Sequence, residues 1–412
     1  MRQKFEILLI LFALFSLTFC TQENIEIAIP QEPEFTEAQK DSIFEAEQAA
    51  KHDVFPLIKY NRVKIRDYRH LLEIKELFPY ESGTISPRKI LMTLNRQEFR
   101  YIRIGEEIII PDTIIPDQRA YSVFPQYYHG AKDIPKLLMV SNKYQCYACY
   151  ENGSLVRFAA ANTGKERTPT FPGRYALVWK EQNRRSSLDS NWFMPFTWNF
   201  HSQAGNAFHK FDMPGRPVSH SCVRQFMDDA KWLFYWGKGA SRGEDGELKH
   251  LSGTPVIIVD IFDFSRTVGG PWLELKSNDD NIIELPKKPM EVEEALIPWC
   301  QIPLMSRNNE ARRKFLFAED TLRARGIIRP NVRLIETKNF NQIRREKAAK
   351  EAKKLEEERK KQAEIMDRMK ILEETFIEPP AILEIEKKDI PKTLIEQQPN
   401  SNQQEEENNP PD

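Results

Sequence analysis

Five cysteines among 412 residues are too few to build a fold on disulfides. Charge of one sign is missing as well. The 60 Lys and Arg residues nearly balance 61 Asp and Glu, for a formal net charge of -1. That balance removes the positive footprint a nucleic-acid binder needs to neutralise phosphates, so no nucleic-acid partner is expected. Long apolar runs are also absent: apart from the N-terminus, no stretch approaches the roughly eighteen residues of a membrane helix. The N-terminal run, residues 7–19, is short for a span and follows basic Arg2 and Lys4, so it reads as a targeting segment. The strongly negative mean hydropathy assigns much of the remaining chain to polar segments without a core.

The chain divides by composition. Residues 1–20 are the targeting signal, and residues 21–41, rich in Glu, Gln and Pro, form a linker. Residues 42–118 mix helix-like stretches at 44–50 and 68–77 with a β-like end, as in a small α+β accessory domain. From 119 to 268, short β-rich runs alternate with Gly, Pro and Asn, which predicts a mainly β domain. Its clearest strands are expected at 137–140, 145–150, 155–160, 175–179 and 256–261, with one helix over 228–236. A Pro-interrupted extension of no assignable role covers 269–339, with a helical stretch at 310–326. Residues 340–376 form a charged helix with i,i+4 pairs such as Glu356–Lys360. An interrupted apolar seam makes it a solvated single helix rather than a coiled coil. The tail, 377–412, has the composition of a disordered segment.

Cys146 and Cys149 form a lone C-x-x-C, two ligands where structural zinc wants four. In a strand, residues three apart lie about 10 Å from each other, too far for a disulfide. Both are read as strand filler. The segment 207–224 is different, because His209, His220 and Cys222 converge within it. A cysteine attacks carbonyl carbon well as thiolate, and a nearby imidazole takes its proton. His209 returns toward Cys222 across a Pro-Gly turn, and His220 lies on the same face as Cys222 if the segment is extended. Either imidazole serves on this argument. A zinc site drawn from His201, His209, His220 and Cys222 is the competing reading, but the separations match no standard ligand spacing and no cofactor or metal is expected.

Ser219-His220-Ser221-Cys222-Val223-Arg224 resembles the signature of the L,D-transpeptidase catalytic domain family: Ser-His-Gly-Cys, an aliphatic residue and Arg, preceded by a histidine and a Gly-containing gap. Asn152-Gly153, Thr163-Gly164-Lys165, residues 168–175, Met194-Pro195-Phe196 and residues 253–259 resemble further family segments in the same order. The resemblance implies a β-sandwich with a helix and a cysteine-dependent acyltransferase acting on peptidoglycan tetrapeptide stems through a thioester. Cys222 is then the nucleophile and His209 its base, with His220, Ser221, Ser219, Arg224 and Gly215 supporting the site or its oxyanion. Transfer to water instead of an amine would make the same site a carboxypeptidase or endopeptidase. Ser221 stands where the family has Gly. If that position needs a positive φ, a serine strains it, and a catalytically impaired peptidoglycan-binding protein is the alternative outcome. The aromatic stretch Trp192, Phe193, Phe196, Trp198 and Phe200 is assigned to core.

Two lesser resemblances complete the reading. Ser16-Leu17-Thr18-Phe19-Cys20 is similar to the lipobox of bacterial lipoproteins, with Phe19 in place of the usual small residue. It implies lipid attachment at Cys20 and a membrane-anchored protein in the cell envelope, outside the cytoplasm. Residues 94–95 and 102–111 resemble the end of a lysin-motif module, which implies a glycan contact through the N-terminal domain.

Overall fold

The computed structural model describes residues 55–81, 85–280 and 283–375, with a few positions between 36 and 47. The expectations for Cys20, the targeting signal, most of the linker and the tail lie outside these residues. No described helix is long and apolar enough to cross a membrane.

The chain starts with a βααβ unit: β1 (Tyr60–Lys64), α1 (Tyr68–Leu77), α2 (Pro87–Asn95) and β2 (Glu107–Pro111), with β1 and β2 paired antiparallel. Both helices begin at side-chain caps. Asp67 accepts from the His70 N–H, and Ser86 accepts from the Lys89 N–H with Pro87 at the first helical position.

Two sheets follow. The first has the order β5 (Ser154–Ala160), β4 (Cys146–Glu151), β3 (Leu137–Ser141), β11 (Pro255–Ile258), β6 (Gly173–Ala176), with β3 and β11 parallel and the other pairs antiparallel. The second has the order β10 (Val223–Gln225), β9 (Asn206–Lys210), β8 (Phe193–His201), β7 (Lys180–Arg185). One face of the first sheet, with Leu138, Val140, Tyr147 and Cys149, packs on Trp198, Phe200, Phe208 and Val223 of the second and on Leu233 of α3 (Met227–Trp236). The opposite face, with Leu137, Met139, Cys146 and Ala148, packs on Ile58, Ile90, Leu94 and Ile109 of the βααβ unit. A sheet covered on both faces needs no polar alternation, which is why β3 and β4 read as nearly unbroken apolar runs. Cys146 and Cys149 therefore belong to different cores on opposite faces, and both are free, buried thiols.

A buried charge cluster also joins the layers. Asp229 of α3, with no exposed surface, lies 2.6 Å from Lys89 Nζ of α2 and 2.5 Å from an Arg157 nitrogen of β5. Burial alone would raise its pKa, but Lys89 and Arg157 more than offset this and hold it below the ordinary carboxylate range.

Beyond β11, the chain wraps back over the two sheets. The expected helix at 310–326 is two short ones, α4 (Asn309–Phe315) and α5 (Ala318–Ala324), whose Ala311, Phe315 and Leu322 extend the core between the sheets. A second unit begins at Gln342. Its described part, residues 342–375, belongs to the helix α6 (Phe340–Thr375), which buries no residue and carries the Glu356–Lys360 pair at 3.1 Å. That solvated helix agrees with its charged sequence.

Candidate active site

The geometry of the site starts from strand alternation. Parallel pairing of β9 and β10 sets Phe208 opposite Val223 and His209 opposite Arg224. Phe208 and Val223 point into the core and are fully buried. Alternation then turns Ala207, His209, Cys222 and Arg224 to the other side, and all four line one cavity of about 300 Å³. The two halves of the 207–224 segment therefore meet because two short strands pair in register.

His209 is almost fully buried, with 4% of its surface exposed. Its Nδ1 lies 3.0 Å from the Lys210 carbonyl. A carbonyl only accepts, so the proton sits on Nδ1 and Nε2 keeps its lone pair. Desolvation outweighs that hydrogen bond and pushes the pKa of His209 down to about 4. Cys222 is half-buried. Burial raises its thiol pKa, while the Ala207 backbone, Arg224 and Arg184 act in the opposite direction. Burial thus favours the neutral thiol and the neutral imidazole, and both side chains line the same cavity.

The loop before Cys222 is braced by the turn at 163–170. Val218 and Ser219 N–H groups donate to the Thr163 carbonyl, both at 3.0 Å, and Lys165 N–H and Thr168 Oγ1 donate to the Ser219 carbonyl at 3.0 and 2.9 Å. Gly164 is needed for this approach, since a Cβ there would come 2.2 Å from the Thr168 carbonyl oxygen. Ser219 Oγ closes the loop by donating to the Cys222 carbonyl at 2.5 Å. Ser221 has φ +70°, the left-handed conformation that a serine was expected to find strained. Its Oγ lies 2.5 Å from the His220 carbonyl and 2.9 Å from Asn206 Oδ1, which ties the unfavourable backbone down. Thr170 Oγ1 donates to the Ser221 carbonyl at 3.1 Å.

The backbone N–H groups of His220, Ser221 and Cys222 make no hydrogen bond among the described residues, and all three residues border the cavity. Successive unpaired N–H groups around a left-handed residue form a concavity suited to an anion. The Ser219 N–H is used by Thr163, and the Gly215 N–H donates to Asn162 Oδ1 at 3.1 Å, so neither is a free oxyanion donor. Gly215, with φ +81°, does not line the cavity but packs its turn on Gln97. Arg224 stacks on Phe211 at 4.5 Å and donates to the Asp212 carbonyl at 3.1 Å.

His220 is exposed at the mouth, with its ring 5.0 Å from that of Trp192. Partial desolvation, reinforced by Lys165 and Arg224, lowers its pKa. Trp192 thereby leaves the aromatic group assigned to core: it lines the cavity, whereas Trp198 and Phe200 are core and Phe193 is 44% exposed. His201 lies outside the cavity lining, with its ring against Tyr175 and Phe315. Among the described residues no three His, Cys, Asp or Glu side chains converge as metal ligands.

Three contributors have no signal in the sequence segment itself. Arg184 of β7 reaches the cavity from the far strand, and Asn206 holds Ser221. The extension supplies a wall with Pro303, Met305, Ile335, Thr337 and Lys338, continued by Phe340. Ala207 was accessible from sequence, because it is two residues from His209 on a strand.

Residues 135–258 match the family model YkuD, the L,D-transpeptidase catalytic domain. Among solved structures, an L,D-transpeptidase (Yku) from Stackebrandtia nassauensis is 22% identical over 31% of this chain and 57% of that one, with a TM-score of 0.25. L,D-transpeptidase 1 from Mycobacterium tuberculosis is 20% identical over 30% and 61%, with a TM-score of 0.23. L,D-transpeptidase 3 from the same organism, in complex with a faropenem-derived adduct, is 17% identical over 31% and 60%, with a TM-score of 0.24. The match thus spans less than two thirds of each of these chains. No curated protein matches this sequence at a significant level.

Proposed function

With residues 135–258 forming an L,D-transpeptidase catalytic domain, we propose that the chain is a peptidoglycan L,D-transpeptidase that works through a Cys222 thioester. The observation that carries this reading is the shared face of β9 and β10, on which Cys222, His209 and Arg224 line one cavity. In the proposed reaction, Nε2 of His209 takes the thiol proton while sulfur attacks the carbonyl of the third residue of a tetrapeptide stem. Free N–H groups at 220–222 receive the oxyanion. Collapse breaks the peptide bond, and the proton on His209 passes to the leaving amine of the terminal D-amino acid. An amine of a second stem then attacks the thioester, the C–S bond breaks, and the proton it loses restores the thiol by way of His209.

The envelope location and a lipid anchor at Cys20 belong to the same proposal, as does a glycan contact through the βααβ unit. A second reading is favoured by one specific feature. Ser221 places a side chain at a left-handed residue beside the N–H groups, which fits a chain that binds stems but turns them over slowly.

The test is intact-protein mass after incubation with a tetrapeptide stem or with faropenem. A covalent adduct is expected on the parent and on Cys146→Ala and Cys300→Ala, and on neither Cys222→Ala nor His209→Ala. An adduct that persists in Cys222→Ala would refute the assignment; binding of stems with no adduct on the parent would put the impaired reading first.

A further inference from the structure

We infer that a second cavity beside the cysteine cavity is a subsite for the carboxylates of the peptide stem. This rests on the reading of the site as one that acts on such stems. The second cavity is about 600 Å³ and is built by the turn at Arg167 and by the extension, including Trp299, Arg307, Arg333 and Lys338. It shares Ile335, Glu336 and Lys338 with the cavity of Cys222, so one strip of chain separates the two.

Its charge is unbalanced. The two acids that border it are already neutralised: Glu336 pairs with Arg307 at 3.0 Å and Glu319 with Arg323 at 2.6 Å. Arg167, Arg333 and Lys338 form no ion pair among the described residues, and all three are exposed. Arg167 has a fixed position, because its Nε donates to the Arg333 carbonyl at 3.0 Å. Two guanidinium forks and an ammonium, with the Arg307-stacked ring of Trp299 beside them, offer charge-assisted hydrogen bonds at one side and an apolar surface at the other. A peptide stem has both kinds of group, with several carboxylates on a short backbone. In the cysteine cavity Arg184 is paired with Glu181 at 2.7 Å, but Arg224 forms no ion pair among the described residues, and Lys338 borders both that cavity and this one. A stem with its scissile carbonyl at Cys222 therefore finds positive charge along the path across the strip.

Equilibrium binding to the full chain carrying Cys222→Ala tests the subsite without turnover, so the result stands whether or not a Cys222 adduct is ever found. The probes are one tetrapeptide stem with free carboxylates and the same peptide fully amidated, with ionic strength held constant. Adding Arg333→Gln is expected to raise the Kd of the free-carboxylate peptide about tenfold and to change that of the amidated peptide less than twofold. Arg333→Lys should recover part of the loss, and inorganic phosphate at equal ionic strength should not displace the peptide. Equal effects of Arg333→Gln on both peptides, no effect on either, or displacement by phosphate alone would overturn the inference.

Discussion

Asp229→Asn removes the one anion that Lys89 and Arg157 share. Asn keeps the shape and an acceptor oxygen, but it leaves two cations with 6% and 16% side-chain exposure and no countercharge. Breaking a buried ion pair in this way costs about 3–5 kcal/mol. At roughly 2–4 °C per kcal/mol for a domain of this size, the melting temperature should fall by about 10 °C. Lys89→Met is milder, since Asp229 keeps Arg157 and the methionine fills the apolar part of the lysine path. A loss of about 1–2 kcal/mol is expected there. The pH dependence gives a second check. Because the folded pKa of Asp229 is depressed, its contribution is complete above the unfolded value of about 3.9 and is lost as pH falls through it toward the folded value. Urea unfolding followed by circular dichroism should therefore show the full difference between parent and variant at pH 7 and a shrinking one below pH 4. A loss under about 1 kcal/mol at pH 7, or equal losses for Asp229→Asn and Lys89→Met, would refute this account of the cluster.

Two further outcomes follow from the site. His209 is depressed from 6.5 to about 4, so it carries no protonation penalty above pH 6.5, and stability falls as pH drops from 6.5 toward 4, where the unfolded chain holds the proton more tightly. His209→Gln should abolish that part of the acid sensitivity, about 3 kcal/mol at full extent, and the acylation rate of the parent should show no inflection near pH 6.5. Ser221→Gly relieves a left-handed serine, worth about 1 kcal/mol, but loses the Oγ hydrogen bond and gains chain entropy when unfolded. Its stability should stay within about 1 kcal/mol of the parent by thermal melting while faropenem acylation accelerates; an unchanged acylation rate would remove Ser221 as the cause of any impairment.

Much of the site was legible because its chemistry is compressed into a short segment. His209, His220 and Cys222 lie within fourteen residues, and period-2 alternation already placed His220 and Cys222 on one face. The strands at 137–141, 146–151 and 154–160 were legible for the same local reason, through β-rich runs between turns. β7 was not, since Lys180–Arg185 is a polar edge strand whose pairing with β8 supplies what its composition does not. Trp192 was misassigned because an aromatic residue looks the same in sequence whether it faces a core or a cavity.

The amino-acid order alone determined the nucleophile candidate, its nearby imidazoles, the β-rich character of the central domain and the solvated charged helix, because each depends on residue type and on contacts a few positions apart. Tertiary structure decided which imidazole is buried in the cavity wall and which stands exposed at the mouth, since that depends on β9 pairing with β10 rather than on spacing. It also decided that the extension, 79 or more residues after Cys222, walls the cavity with residues between Gln301 and Lys338. No local pattern encodes that return, because the packing that brings it back is between surfaces whose complementarity exists only once both have folded.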